Sequence, residues 1–201
     1  MELNKGYPKL IAQRDEVRSL LSNPKIKLIV DDGRRWLAAN RGNKYDFIVQ
    51  NTTWHFRANI TNLLSQEYMK LVGEHLKPDG VYFFNTTGSA RAQRTACMTF
   101  PHAFRFSNHM AVSKVEFDVN FDRWRQVLLA YKIDGKPVFD STQVSHQAEL
   151  AAMIGYKEQW RNAQGGPVIE PCTVIKKRTN GVALLTDDNM GSEWRYLYKL
   201  Q

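Results

Sequence analysis

The residues able to do chemistry lie where short apolar runs end. Ile26-Lys27-Leu28-Ile29-Val30 runs into Asp31-Asp32-Gly33, and Asp46-Phe47-Ile48-Val49-Gln50 into Asn51-Thr52-Thr53-Trp54-His55. Val81-Tyr82-Phe83-Phe84 runs into Asn85-Thr86-Thr87-Gly88-Ser89. Ligands of open parallel sheets bind beyond the carboxyl ends of the strands, so these three termini form the candidate site. The carboxylates offer acceptors. The twice-used Asn-Thr-Thr offers uncharged amide and hydroxyl groups, which suit a ligand or cap the helices that follow. His55 is a candidate base because imidazole titrates near neutral pH, although a single histidine beside an aromatic ring is more often structural. Far downstream, Asp187 and Asp188 either add carboxylates near the pocket or form a surface turn.

Strands and helices must alternate to bring those termini together. Leu10, Val17, Leu20 and Leu21 predict a helix over 8–22, closed by Pro24. Two buried strands follow at 26–30 and 46–50, with a short helix through Trp36 and Leu37 between them. Leu64, Tyr68, Leu71, Val72 and Leu76 form one helical face over 62–76, which Lys77-Pro78-Asp79-Gly80 stops before a strand at 81–84. Strand, helix and strand at this spacing make a right-handed crossover. Beyond residue 100, Phe104-Arg105-Phe106 and Met110-Ala111-Val112 predict short strands that pair. Phe121, Trp124, Leu128 and Tyr131 predict a helix, with a hairpin turn at Asp134-Gly135 as the alternative. A helix at 144–154, a loop at 161–180 and a last strand at 182–185 complete the reading. The expected class is α/β: a Rossmann-like, mostly parallel sheet with helices on both faces. Residues 1–115 are a partial domain of this Rossmann-like kind, and 116–201 an α/β extension packed on the same domain.

Composition narrows the function classes. A chain of 201 residues with 43% hydrophobic and 24% charged content can fill one core and is not disordered. No apolar run approaches the roughly 18–20 residues that span a bilayer, and Met1 to Gly6 is no secretory leader. The reading is a soluble, cytoplasmic domain. Its net charge of +8 is dispersed, with only Lys176-Lys177-Arg178 clustered, so no nucleic-acid partner is expected. Cys97 and Cys172 read as free thiols, and the five histidines show no metal-ligand spacing.

Residues 23–85 resemble the middle of the spermidine synthase family and its Rossmann-like, S-adenosylmethionine-dependent relatives. Asn23 to Leu37 is similar to that family's third strand, acidic turn and helix. Tyr45-Asp46-Phe47-Ile48-Val49 is similar to its fourth strand, and Leu64 to Val81 to the helix and strand beyond. Met1 to Tyr7 resembles the end of its second strand, and Leu184 to Met190 an acidic segment of longer members, several of which carry a multi-span membrane portion. The resemblance implies that Asp32, with Gly33, holds the adenine amino group, that Glu2 holds the ribose hydroxyls, and that Asn51 borders the cofactor. It aligns Asn51, Thr52, Thr53 and Trp54 with the family's catalytic strand end and Asp187 and Asp188 with its acidic segment. Thr52, Trp54, Asn85, Asp187 and Asp188 are then the candidates for the small-molecule acceptor side, and Asn51 and His55 the catalytic candidates.

Two departures shape the expected function. Aminopropyl transfer needs a neutral attacking amine, and the family supplies carboxylates at the end of its fourth strand to accept the proton. Asn51-Thr52-Thr53-Trp54 carries no acid there. The expectation is a poor or inactive aminopropyltransferase: an S-adenosylmethionine-type transferase for another acceptor, or a non-catalytic sensing or scaffolding domain of a membrane protein. Second, the family's first strand and glycine-rich loop have no counterpart in these residues. S-adenosylmethionine or its decarboxylated form is therefore expected in a longer parent and not in this chain alone. A fragment, a closed gap, or a gap filled by an upstream segment or a second copy in a homodimer would each account for it.

Overall fold

The structure is a computed structural model that describes residues 2, 4–51, 60–118, 120–133, 135–154 and 169–189. The expected first helix is broken into α1 (Tyr7–Ala12) and α2 (Ser19–Ser22), joined by turns. Neither buries a side chain. Helices shorter than roughly 12–15 residues are marginal without a surface to pack on, which is why periodicity alone did not sustain a longer one. The expected strand at 26–30 is reduced to one parallel bridge, Glu2 to Val30. The Glu2 N–H donates to Ile29 O at 2.9 Å and the Asp31 N–H to Glu2 O at 3.0 Å. Then come α3 (Gly33–Ala39) and β1 (Tyr45–Gln50).

The helix expected over 62–76 is split into a 3-10 turn (Thr61–Leu63) and α4 (Gln66–Glu74). Ser65 lies between them in extended geometry, and its side chain accepts the Tyr68 N–H as an N-cap. β2 (Leu76–Asn85) begins before Pro78, so Lys77-Pro78-Asp79-Gly80 is an irregularity inside the strand and not a helix stop. Gly80 is required there, because a Cβ would lie 2.8 Å from Tyr45 O. α5 (Ala90–Thr99), which no periodicity announced, starts from a cap at Ser89. β3 (His102–Phe106) and β4 (His109–Ser113) pair antiparallel, as expected.

For 121–137 the helix is what forms; the alternative strand at 127–133 does not, and only a hairpin of two-residue strands follows the helix. α6 (Phe121–Ala130) leads into a hairpin of β5 (Lys132–Ile133) and β6 (Lys136–Pro137). α7 (Val144–Ile154) follows. The described part of the expected 161–180 loop is instead β7 (Ile169–Pro171) and α8 (Cys172–Arg178). The expected strand at 182–185 is not one. The Leu185 N–H donates to Thr95 Oγ1 and its carbonyl accepts the Gln66 N–H, so the backbone serves helices and not a ladder.

The five-stranded sheet has the order β1-β2-β4-β3-β7. β1, β2 and β3 run the same way. Only β1 and β2 are parallel neighbours, because β4 runs oppositely between β2 and β3. Tyr82 and Phe84 of β2 share one face with Met110 and Val112 of β4, and α4, α5 and α8 close over it. Phe47 and Val49 on the opposite face stay exposed, so the helices of the buried core cover one face where both were expected.

Cys97 and Cys172 are not free thiols. α8 packs on α5 and brings their Cα atoms to 5.5 Å, and the two sulfurs are bonded. β7 adds Glu170, buried, which accepts Arg105 Nε and Arg178 Nε at 2.7 Å each. Among the described residues no helix is long and apolar enough to cross a membrane.

Candidate functional site

Asp31 and Asp32 are adjacent but differently engaged. Asp31 Oδ1 accepts the Asp32 N–H at 2.7 Å and Arg35 Nε at 2.9 Å, and the Arg35 guanidinium closes an ion pair with it. That guanidinium holds the Asp31 carboxyl below the usual carboxylate range. Asp32 caps α3, with Oδ1 accepting the Arg35 N–H at 2.8 Å. Its Oδ2 accepts no hydrogen bond among the described residues. The contacts of Asp31 likewise all fall on Oδ1, so each carboxylate keeps an Oδ2 acceptor among the described residues, and Asp32 differs in facing no guanidinium across its carboxylate. Glu2 resembles it: half-buried, it uses Oε1 for the Asn4 N–H at 2.7 Å.

A cleft of about 690 Å³ runs along β1; Asp32 adjoins it through Gly33, but neither Asp32 nor Glu2 is among its lining residues. Gly33, at the first turn of α3, and Asn51, at the end of β1, both line it. Tyr68 of α4 lines it too. Burial, reinforced by the Asp32 charge, pushes the Tyr68 phenol well above its ordinary value, so it stays protonated at any physiological pH. Gln50 is fixed from two sides, donating to Leu63 O at 3.0 Å and accepting the Tyr82 hydroxyl at 3.1 Å.

Asn51 and Asn85 are brought together. Asn85 Nδ2 donates to Asn51 Oδ1 at 3.1 Å, which ties the carboxyl ends of β1 and β2. The second Asn-Thr-Thr is largely taken up by its own loop. Asn85 Oδ1 accepts the Thr87 N–H, and Thr86 Oγ1 donates to Asn108 O while accepting Gln93 Nε2. Thr87 and Gly88 turn the chain at φ 52° and 80°. Thr52, Trp54 and His55 lie outside the described residues.

Asp187 is held by the protein. Arg34 grips both carboxylate oxygens, Ser65 Oγ donates at 2.6 Å, and the Asp187 N–H donates to Glu67 Oε2 at 3.0 Å. Arg34 holds its carboxyl low. The same guanidinium donates to Asn62 O and lies 5.9 Å from the Tyr68 ring centroid. Asp187 thus docks residues 184–189 on α3 and α4, beside but not in the lining of the cleft, and Asp188 is exposed. Sequence reasoning missed Arg34 and used Tyr68 only as core. Arg34 lies next to the acidic turn, but its partner is 153 residues away, so no local spacing marked the pair.

No family model matches the chain, and no curated protein does. Among solved structures, it is similar to a probable spermidine synthase from Corynebacterium glutamicum, at a TM-score of 0.52 and 16% identity over 92% of this chain. The chain spans 62% of the length of that structure. It is also similar to human methyltransferase-like protein 13, solved in complex with SAH, at a TM-score of 0.41 and 13% identity, over 81% of this chain and 83% of that one. The first likeness extends over nearly all of the chain, and what it shows is the fold: this is a mixed α/β chain of the spermidine-synthase-like, class I methyltransferase-like type.

Proposed function

We propose that this chain is a nucleoside-binding, spermidine-synthase-like domain of an S-adenosylmethionine-type transferase that does not transfer an aminopropyl group. One observation carries the reading. Asp32 keeps an oxygen that accepts no hydrogen bond among the described residues and precedes Gly33, which lines the cleft, while the strand end where an amine's proton must go presents Asn51. Asp32 Oδ2 accepts a hydrogen bond from the adenine amino group, and Glu2 accepts from the ribose hydroxyls. S-adenosylmethionine, when bound, supplies the transferable group on its sulfonium. Asn51 accepts no proton at any working pH, and its carbonyl oxygen already holds Asn85. An alkylammonium acceptor would remain protonated there and would not attack. The family resemblance assigns Thr52 and Trp54 to the acceptor side, with His55 and Asn85 as further candidates, and the substrate class we propose is a small molecule other than a polyamine.

The test is calorimetric titration of methylthioadenosine and S-adenosylmethionine into the chain and into the longest in-frame protein that contains it. Asp32→Asn keeps the helix cap but exchanges the acceptor for a donor, and should weaken binding by roughly ten-fold or more. Putrescine with decarboxylated S-adenosylmethionine should give no spermidine, and Asn51→Asp combined with Trp54→Asp should restore some. Spermidine from the wild type would overturn the reading of Asn51. Absence of nucleoside binding by the longer protein would sink the transferase and leave a sensing or scaffolding domain.

A further inference from the structure

α6 and α7 take no part in the nucleoside reading, yet with the loop between β6 and α7 they frame a second cavity, of about 200 Å³. It shares no lining residue with the cleft along β1. Its apolar lining is Leu129 of α6, Phe139 of the loop and Leu150 of α7, the last only 2% exposed. Its polar lining is Arg125, Ser141 and His146, with Asp140 and Gln147 beside them. The last two are already engaged. Asp140 Oδ1 accepts the Thr142 N–H at 2.9 Å and the Thr142 hydroxyl at 2.6 Å, and its Oδ2 accepts Gln143 Nε2 at 3.3 Å. Gln147 Nε2 donates to Ser141 O at 2.5 Å. The Asp140 N–H donates to His146 Nδ1 at 2.9 Å, so neutral His146 carries its proton on Nε2. Phe139 meets the same imidazole edge to face, with ring centroids 6.4 Å apart, and fixes it from a second side. Three donors are left without a hydrogen-bond partner among the described residues: the Arg125 guanidinium, the Ser141 hydroxyl and the His146 Nε2–H.

We propose that this cavity is a binding site for a small monocarboxylate with an apolar body. Arg125 is the anchor. Its charge meets no carboxylate among the described residues, whereas that of Asp140 is turned to Thr142 and Gln143. A guanidinium presents parallel N–H groups that match the two oxygens of a carboxylate, and Ser141 and His146 supply further donors to them. Because the imidazole is set by the Asp140 N–H and by Phe139 before a ligand arrives, its donor costs little to order. Leu129, Phe139 and Leu150 call for carbon, which makes inorganic phosphate or sulfate a poor occupant. The Asp140 charge beside the site acts in the same direction, since it repels a dianion more than a monoanion. Sites of drug-sized ligands run to roughly 300–1,000 Å³, so a cavity of about 200 Å³ limits the body to one ring or a short branched chain. The site lies apart from the proposed nucleoside site and does not rest on that reading.

The probe is phenylacetate, titrated into the whole chain near neutral pH and followed by amide NMR spectra. The controls are phenylacetamide, which keeps the shape without the charge, and acetate, which keeps the charge without the body. Phenylacetate should bind with a Kd of about a millimolar, and each control roughly ten-fold more weakly. The largest shifts should fall on Phe139, Ser141, His146 and Gln147. Arg125 is exposed, so its replacement should leave the fold intact, and the spectrum of each variant reports on that directly. Arg125→Gln should weaken phenylacetate by roughly ten-fold, and Arg125→Lys should keep part of the binding, because it retains the charge and loses the fork. No binding of phenylacetate, equal binding of the acid and the amide, unchanged binding by Arg125→Gln, or shifts confined to the residues of the β1 cleft would each overturn the proposal. No nucleoside enters the experiment, so its failure leaves the proposed function untouched.

Discussion

Toward β2, β1 meets a sheet whose helices bury Leu64, Met69, Val72, Ala92, Ala96 and Ile175 against Tyr82 and Phe84. Away from β2 it faces Lys27 and Ile29 across the cleft, and in the segment that leads to them α1 and α2 bury nothing and Leu10, Leu20, Leu21 and Ile26 remain exposed. Both regions have amphipathic sequence. The difference teaches that an apolar stripe is a demand for a surface and becomes core only where the chain supplies that surface. Around β2 it does. The strands are in register, and Ser65 and Ser89 cap the helices that cover them. On the other side the demand is unmet among the described residues, and the cleft is its form.

The sharpest way to break this comparison is truncation of one side chain in each region. Phe84→Ala removes a fully buried ring, and should cost about 3–5 kcal/mol in urea unfolding. Leu20→Ala should stay within about 0.5 kcal/mol. A cost for Leu20→Ala of about 2 kcal/mol would mean that the amino-terminal region is packed in solution, and the contrast would fall.

The next effect lies wholly inside the dense region. The Cys97–Cys172 bond closes a loop with a sequence separation of 75 residues. Chain entropy assigns such a crosslink about 4 kcal/mol, and measured values commonly fall near 2–4 kcal/mol. Reduction, or Cys172→Ala, should therefore destabilise α8 and β7 strongly. Amide exchange would speed up at Ile175 and Glu170 while that of residues 4–31 stays unchanged. Faster exchange in both regions would show that they fold as one unit and remove the distinction.

The same contrast explains which elements were legible in the sequence. β1, β3, β4, α3, α6 and α7 announce themselves through local pattern, because each carries its apolar residues at its own period. The site's acidic turn and the two Asn-Thr-Thr termini were likewise visible, and Asn51 and Asn85 do meet. What stayed hidden depends on distant partners. α5 shows little periodicity because small residues, Ala92 and Ala96, let it sit close to the core. α8 is placed by a disulfide to α5, and Asp187 by Arg34 across most of the chain. The expected strand at 182–185 failed for the same reason: Thr95 and Gln66, remote in sequence, take the backbone groups of Leu185.

The smallest of the three effects depends on pH, and it separates a built charge cluster from a solvated one. Burial would raise the Glu170 carboxyl, but hydrogen bonds from Arg178 and Arg105 outweigh it and hold the folded value below the ordinary one. A carboxyl depressed in this way contributes its full stability above the unfolded value. That contribution is lost as pH falls through the folded value. Glu170→Gln should thus cost about 2 kcal/mol near neutral pH, less than a fully buried pair because the Arg178 side chain is 37% exposed. The cost should shrink as pH falls below about 4.5, the ordinary value at which the unfolded chain's carboxyl takes up its proton, and should be gone once pH has passed the lower folded value. In the amino-terminal region Asp15 and Arg18 form a pair at 3.0 Å with side chains 84% and 66% exposed, and Asp15→Asn should leave the stability–pH curve unchanged. Urea midpoints for both variants between pH 3 and pH 8 decide it. A Glu170→Gln penalty independent of pH would mean that Glu170 acts through shape and not charge, because both cations stay protonated throughout that range while the carboxyl alone changes state.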